Sequence, residues 1–96
     1  MPKYLVERRF EISVTEETMP EVGAKSKRTI VEHFPDTIIW ERSHVLVDDT
    51  GQVTTYCVYI APDKETVKQH ADLLGLHDVI GMREIAGDVT PDDFPL

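Results

Sequence analysis

Cysteine is scarce in this chain of 96 residues: Cys57 is the single one, so an intramolecular disulfide framework is excluded. Basic residues are also few, because ten lysines and arginines stand against eighteen aspartates and glutamates and leave a formal net charge of -8. Such a surface repels phosphate backbones and anionic lipid heads. We therefore expect neither a nucleic-acid partner nor a membrane partner.

Long hydrophobic runs and familiar catalytic motifs are missing as well. No segment approaches the roughly 18 apolar residues of a membrane span, and the start MPKYLVERRF has no apolar run followed by a small-residue cleavage site. We therefore expect a cytoplasmic protein. The motifs GxGxxG, GxxxxGK[ST], GxSxG and HExxH are absent, so dinucleotide-binding, P-loop, α/β-hydrolase and zincin activities lack their defining residues.

The pattern that is present is that of one globular domain, with 41% apolar and 29% charged residues. Alternating apolar residues predict strands over 3–10, 37–48, 52–60 and 79–85, and apolar residues at i, i+4 spacing predict helices over 18–34 and 63–75. The order βαββαβ predicts a ferredoxin-like α+β domain over residues 1–87, with a four-stranded antiparallel sheet and two helices on one face. Residues 88–96 are expected to form an extended tail.

Capping signals support both helices. Thr18 and Glu21 form a capping-box pattern at the start of the first helix, and Asp63 is placed to cap the second. Gly75 suits a left-handed residue at the end of the second helix.

The third predicted strand has no polar face. Tyr56, Val58 and Ile60 point one way while Cys57 and Tyr59 point the other, yet two helices on one face cover only one side of such a sheet. We expect a second copy of the chain to cover the other side, giving a homodimer, an α/β-barrel-like assembly with a mixed apolar and polar cavity.

Several stretches resemble a family of small bacterial ferredoxin-like proteins, long described as a domain of unknown function and typified by a nickel-binding member. These stretches are MPKYLVER, the W-x-x-S-x-V pattern of residues 40–45, YCVYIAPDKETVKQHA and MREI. The resemblance covers roughly residues 2–85 and implies a dimeric α+β domain that binds nickel in some members. It also implies two helical histidines four residues apart and a ligand on the first strand. His70 matches the first helical position, whereas Leu74 occupies the second, and Glu7 and Arg8 stand at the strand position.

Four residues are therefore candidate metal ligands: His70, His44, Glu7 and Cys57. Cys57 lies in mid-strand without a second cysteine or an adjacent histidine, so a buried inert thiol is the favoured interpretation. Strict alternation places His44 on the same face as Trp40. No H-x3-H pair exists, so the metal motif is not a strong one.

A small-ligand pocket is the alternative to a metal site. Its candidate lining residues are aromatic: Tyr4, Trp40, Tyr56 and Tyr59. Three hypotheses remain open at this point. The first is a non-enzymatic homodimer that binds nickel, another divalent transition metal or a small ligand. The second is an enzyme that resembles the antibiotic-biosynthesis monooxygenases and uses a cavity over the sheet, and the third is a structural or partner-binding module.

Overall fold

Four antiparallel strands form one sheet in the computed structural model, which describes residues 1–75 and 77–96. The elements, in chain order, are β1 (Lys3–Phe10), α1 (Met19–His33), β2 (Ile39–Val47), β3 (Val53–Ile60), α2 (Lys64–Leu74) and β4 (His77–Glu84). The strand order across the sheet is β2-β3-β1-β4. The predicted ferredoxin-like βαββαβ fold is confirmed.

Burial alternates along β1 because both helices pack on one side of the sheet. Tyr4, Val6 and Phe10 are buried, whereas Leu5 and Arg9 are exposed. We call the covered side the helix face and the opposite side the open face. The core on the helix face joins residues of both helices to the two central strands, and its largest cluster consists of Tyr4, Val6, Ile30, Phe34, Ile38, Cys57, Tyr59, Ala61 and Val67.

The start of α1 differs from the sequence prediction. Thr18 has helical backbone angles, and its side chain makes no hydrogen bond to the helix. Its hydroxyl instead accepts a hydrogen bond from the Thr15 amide at 2.8 Å. The capping-box prediction is therefore wrong, because the preceding turn competes for the same hydroxyl group.

The ends of α2 agree with the sequence signals. Asp63 is extended, and its carboxylate accepts a hydrogen bond from the Thr66 amide at 2.8 Å, as an N-cap residue should. Gly75 follows the helix with φ of 69°, in the region that favours glycine. Strand β4 begins at His77, two residues before the predicted start at residue 79.

An extra residue, Glu41, interrupts the pairing of β2 with β3. Trp40 before it lies opposite Tyr59 on the helix face, whereas His44 after it lies opposite Tyr56 on the open face. The prediction that His44 shares a face with Trp40 is wrong, because this β-bulge reverses the alternation between them.

The C-terminal segment after β4 contains a single short 3-10 helix, Pro91–Asp93. Its apolar side chains, Val89, Phe94 and Leu96, are exposed. Among the helices of residues 1–75 and 77–96, none combines the length and the apolar character that crossing a membrane requires.

Candidate functional site

A cleft of about 490 Å³ opens between α1 and the helix face of the sheet. Met19, Val22 and Gly23 of α1 form one wall, and Trp40 and Val45 of β2 are part of the other. The two walls come close at Gly23, where a β-carbon would lie 3.9 Å from the Trp40 ring. The cleft has the size of an ordinary small-molecule site and is mostly apolar.

Arg8 lies at the floor of this cleft and is only 2% exposed. Its place on β1, between buried Val6 and Phe10, forces its side chain under the helices. One guanidinium nitrogen, Nη2, lies 3.3 Å from Nδ1 of His70. The guanidinium carbon lies 5.1 Å from the centre of the Tyr59 ring, a cation-π distance.

His70 is fully buried behind the lining of the cleft. Its ring packs edge-on against Phe34 and Tyr59, with centroids 6.2 and 5.4 Å away. Burial, assisted by the Arg8 charge, lowers the pKa of His70 to about 4. The imidazole is therefore neutral at pH 7.

The other ring nitrogen of His70, Nε2, lies 3.1 Å from the Ser26 hydroxyl oxygen. Arginine can only donate hydrogen bonds, so Nδ1 must be the acceptor from Arg8 and Nε2 must carry the proton. Nε2–H then donates to Ser26, which leaves the Ser26 hydroxyl hydrogen available. Ser26 is buried and belongs to the lining of the cleft.

Two buried polar atoms at the cleft floor have no hydrogen-bond partner within the described part of the chain: Nε of Arg8 and the hydroxyl of Tyr59. Tyr59 is 1% exposed, and burial raises its pKa well above the ordinary value. Both residues line the cleft. Unpartnered buried donors are rare in folded proteins and call for a specific explanation.

Cys57 is buried beside this cluster, as expected for an inert thiol. Its sulfur lies 3.4 Å from the Thr55 hydroxyl, to which it donates. Both side chains contribute to the cleft floor, so the thiol faces the same enclosed space as Arg8.

The four predicted metal ligands divide between the two faces of the sheet. Cys57 and His70 lie on the helix side, whereas Glu7 and His44 both lie opposite Tyr56 on the open face. Glu7 and His44 thus form a cross-strand row, with Cα atoms about 10 Å apart from two strand spacings. One chain does not bring all four together.

A metal ion fits poorly at His70. Both ring nitrogens are engaged, one by Arg8 and one by Ser26, and the neighbouring guanidinium charge repels a divalent cation. Within residues 1–75 and 77–96, no group of three or more histidine, cysteine, aspartate or glutamate side chains is close enough to hold a metal. Glu7 and His44 have a carboxylate and an imidazole that can bind a metal ion. Among the described residues, a single chain provides only these two candidate ligands in the cross-strand row.

The predicted pocket residues divide in the same way. Trp40 and Tyr59 line the cleft, Tyr4 is buried in the core, and Tyr56 lies on the open face. Sequence reasoning did not assign roles to Arg8 and Ser26. The sequence marks both positions. Arg8 is a charged residue within the apolar alternation of β1, and Ser26 is a polar residue within the i, i+4 apolar row of α1.

A second depression of about 580 Å³ runs between α2 and β4. Its lining is largely charged and exposed, with Lys64, Glu65, Lys68 and Asp72 prominent. Among the described residues that line it, none has a buried polar atom without a partner, so the cleft under α1 is the better candidate site.

A protein-family comparison matches most of the chain. The family described as "Nickel responsive protein SCO4226-like" matches residues 4–77, which span β1 to the first residue of β4. A search of curated proteins found no match.

Two solved structures resemble the fold. The C-terminal domain of the MgtC protein from Mycobacterium tuberculosis is 13% identical with a TM-score of 0.57, covering 91% of this chain and 88% of that one. The de novo designed protein Foldit4 is also 13% identical, with a TM-score of 0.53 over 92% of this chain and 100% of the design. At this identity the likeness concerns the fold alone.

Proposed function

Because the chain belongs to the SCO4226-like family of nickel-responsive proteins, we propose that it is a small binding protein, and that its principal site is the cleft between α1 and the sheet. The observation that carries this proposal is the enclosed Arg8, whose guanidinium lies at the floor of an apolar cleft with an unpartnered nitrogen. Binding is preferred to catalysis, because the nearby His70 uses both ring nitrogens in hydrogen bonds and offers no free base.

The cleft can be tested by nuclear magnetic resonance with a library of small fragments. Trp40 is the single tryptophan, and its indole N–H donates to Ser43 at 2.8 Å, so one indole signal reports on the cleft wall. Fragments that bind should shift this signal and the amides of residues 19–26. Fragments that shift only the amides of the open face would contradict the proposal.

A matched pair of variants shows which face of the sheet binds the fragments. Val45 lines the cleft, and its neighbour Leu46 lies opposite Thr54 on the open face, with exposures of 45% and 48%. Val45→Phe should narrow the cleft and weaken fragment binding about tenfold, a loss of roughly 1.4 kcal/mol. Leu46→Phe should leave the affinity unchanged.

A second candidate function is nickel binding on the open face. It is favoured by the family description and by the row of Glu7, Tyr56 and His44, in which an imidazole and a carboxylate are available. Two copies packed through this face would supply two such pairs. Calorimetric titration with nickel chloride should then show binding that His44→Ala removes and His70→Ala retains. If His70→Ala alone removed nickel binding, the metal site would lie on the helix face and not on the open face.

A homodimer through the open face is part of the proposal, as is a cytoplasmic location. Leu5, Ile39 and Leu46 are 37%, 54% and 48% exposed on this face, where they lie opposite Val58, Ile60 and Thr54 of the central strand β3. Light scattering at micromolar concentration should give twice the chain mass. Leu46→Arg should give the monomer mass, and the equally exposed Leu73→Arg on α2 should not.

A further inference from the structure

The cleft floor carries a buried positive charge without a negative partner. Arg8 is 2% exposed and forms no ion pair among the described residues, for which the pair Lys3–Glu41 is the salt bridge found. Its hydrogen-bond partner is a neutral imidazole. A buried charge without a counter-charge opposes folding, so its presence points to a ligand that neutralises it.

Three residues of the lining carry hydrogen-bond donors for which the described residues provide no acceptor. They are Arg8 with its buried Nε–H, Tyr59 with its buried hydroxyl, and Ser26 with the hydrogen left free by His70. The Cys57 thiol is already directed to Thr55. A set of neutral and charged donors around one guanidinium is complementary to an acceptor-only group, and a carboxylate is such a group.

The charge of the cleft and the residues that line it restrict the chemical class of the ligand further. One guanidinium balances one negative charge, and Glu16 on the lining disfavours a second. Apart from the hydroxyl-bearing Ser43 and Thr55, the remaining lining is largely apolar, and it includes Phe10, Met19, Val22, Trp40, Val45 and Val47. A singly charged head and an apolar body fit this arrangement better than a phosphate does.

We propose that the cleft binds a small monocarboxylate with an apolar body, its carboxylate held by Arg8, Tyr59 and Ser26. This rests on the proposed binding function of the cleft and adds the chemical class of the ligand. His70 is a positioning residue here, because it holds Arg8 from one side and Ser26 from the other.

The test compares acids with their neutral amides. Butyrate, hexanoate and phenylacetate are titrated beside butyramide, hexanamide and phenylacetamide in low-chloride buffer at pH 7, with the Trp40 indole signal as the readout. Each acid should bind at least about tenfold more tightly than its amide, as expected for a charge-assisted bidentate contact. Arg8→Met should abolish that preference, and Tyr59→Phe should weaken the acid several-fold while leaving the amide unchanged.

Arg9→Met is the matched control, because Arg9 is the next residue of β1 and is exposed on the open face. It should keep the preference for the acid. Equal affinities for acid and amide in the native protein would overturn the carboxylate inference and leave the binding function standing. If no acid bound while neutral fragments still shifted the Trp40 signal, the carboxylate inference would also be overturned and the binding function would stand. Failure of every acid, amide and library fragment would overturn both proposals.

Discussion

Arg8 and Arg9 are adjacent on β1, yet they belong to different environments. Arg8 is enclosed under the helices and bonds to buried His70, whereas Arg9 is exposed on the open face. The histidines repeat the contrast, since His70 is fully buried and His44 is exposed. In this fold, the burial and the hydrogen bonding of an arginine or a histidine therefore depend on which face of the sheet it occupies, and not on its residue type.

The two faces also differ in how their polar groups are satisfied. On the helix face, Arg8, His70 and Ser26 form a chain of hydrogen bonds that ends in unpartnered donors at a cleft. On the open face, Glu7 and His44 lie beside exposed apolar side chains, and the described part of the sequence contains no such chain of hydrogen bonds around them. Variants at equivalent positions on the two faces should separate these environments.

The largest effect is expected from the two histidines. His70→Ala removes a fully buried ring and leaves Ser26 and Arg8 without their shared partner, so the free energy of unfolding should fall by about 3 kcal/mol. His44→Ala on the open face should change it by less than about 0.5 kcal/mol. Urea unfolding at pH 7 measures both. Similar losses in the two variants would remove the distinction between the faces.

The pH dependence of stability should come from the same residue. The pKa of His70 falls from 6.5 to about 4 on folding, so the unfolded chain binds more protons between these values and stability falls as the pH is lowered through them. His70 should account for about 2 kcal/mol of the loss between pH 6.5 and 4.5.

His70→Gln should remove this part of the slope, and His44→Gln should retain it. Some slope should remain in His70→Gln, because burial, with the Arg8 charge, also lowers the pKa of His77. An unchanged slope in His70→Gln would contradict the buried neutral imidazole.

Replacing Arg8 should raise the free energy of unfolding, whereas replacing Arg9 should leave it nearly unchanged. Arg8→Met replaces an enclosed charge with an apolar side chain of similar length, and the free protein should become more stable by about 1.5 kcal/mol despite the lost cation-π contact and the lost hydrogen bond to Nδ1 of His70. Arg9→Met should change stability by less than about 0.5 kcal/mol. Thermal unfolding without ligand checks both. A strong loss of stability in Arg8→Met would mean that Arg8 supports the fold and not a ligand.

The smallest change in the free energy of unfolding is expected from replacing Ser26. Ser26→Ala leaves the His70 Nε2–H without an acceptor and should cost about 1 kcal/mol. Ser13→Ala, at an exposed position, should cost only a few tenths of a kcal/mol. Chemical denaturation of the two variants side by side measures the difference. Equal costs would show that the hydrogen bond to His70 contributes nothing to stability.

The sequence predicted the elements because their signals are local. The period of β1, the cap at Asp63 and the glycine at 75 each depend on a few neighbouring residues, and the structure agrees with them. Thr18 shows the limit of such signals, because Thr15 competes for its hydroxyl.

The site was harder to predict for a physical reason. Both sides of β3 carry apolar residues, so the sequence does not say which side the helices cover, and the depth of Arg8 depends on that choice. The candidate residue His70 was found, but its partners Arg8 and Ser26 come from two distant elements. The local signal of a polar group under the helices is a charged residue within an apolar alternation, as at Arg8 in β1.

The extra residue in β2 keeps the aromatic wall at the cleft. Simple alternation counted back from Ser43 would place Trp40 on the open face, so the bulge at Glu41 is what brings Trp40 opposite Tyr59. Deleting the Glu41 codon would remove the bulge, and Trp40 opposite Tyr59 would then be followed directly by Arg42 opposite Val58. A chain shorter by this one residue would therefore keep its aromatic wall, so the length of β2 can vary at this point without exchanging the two faces.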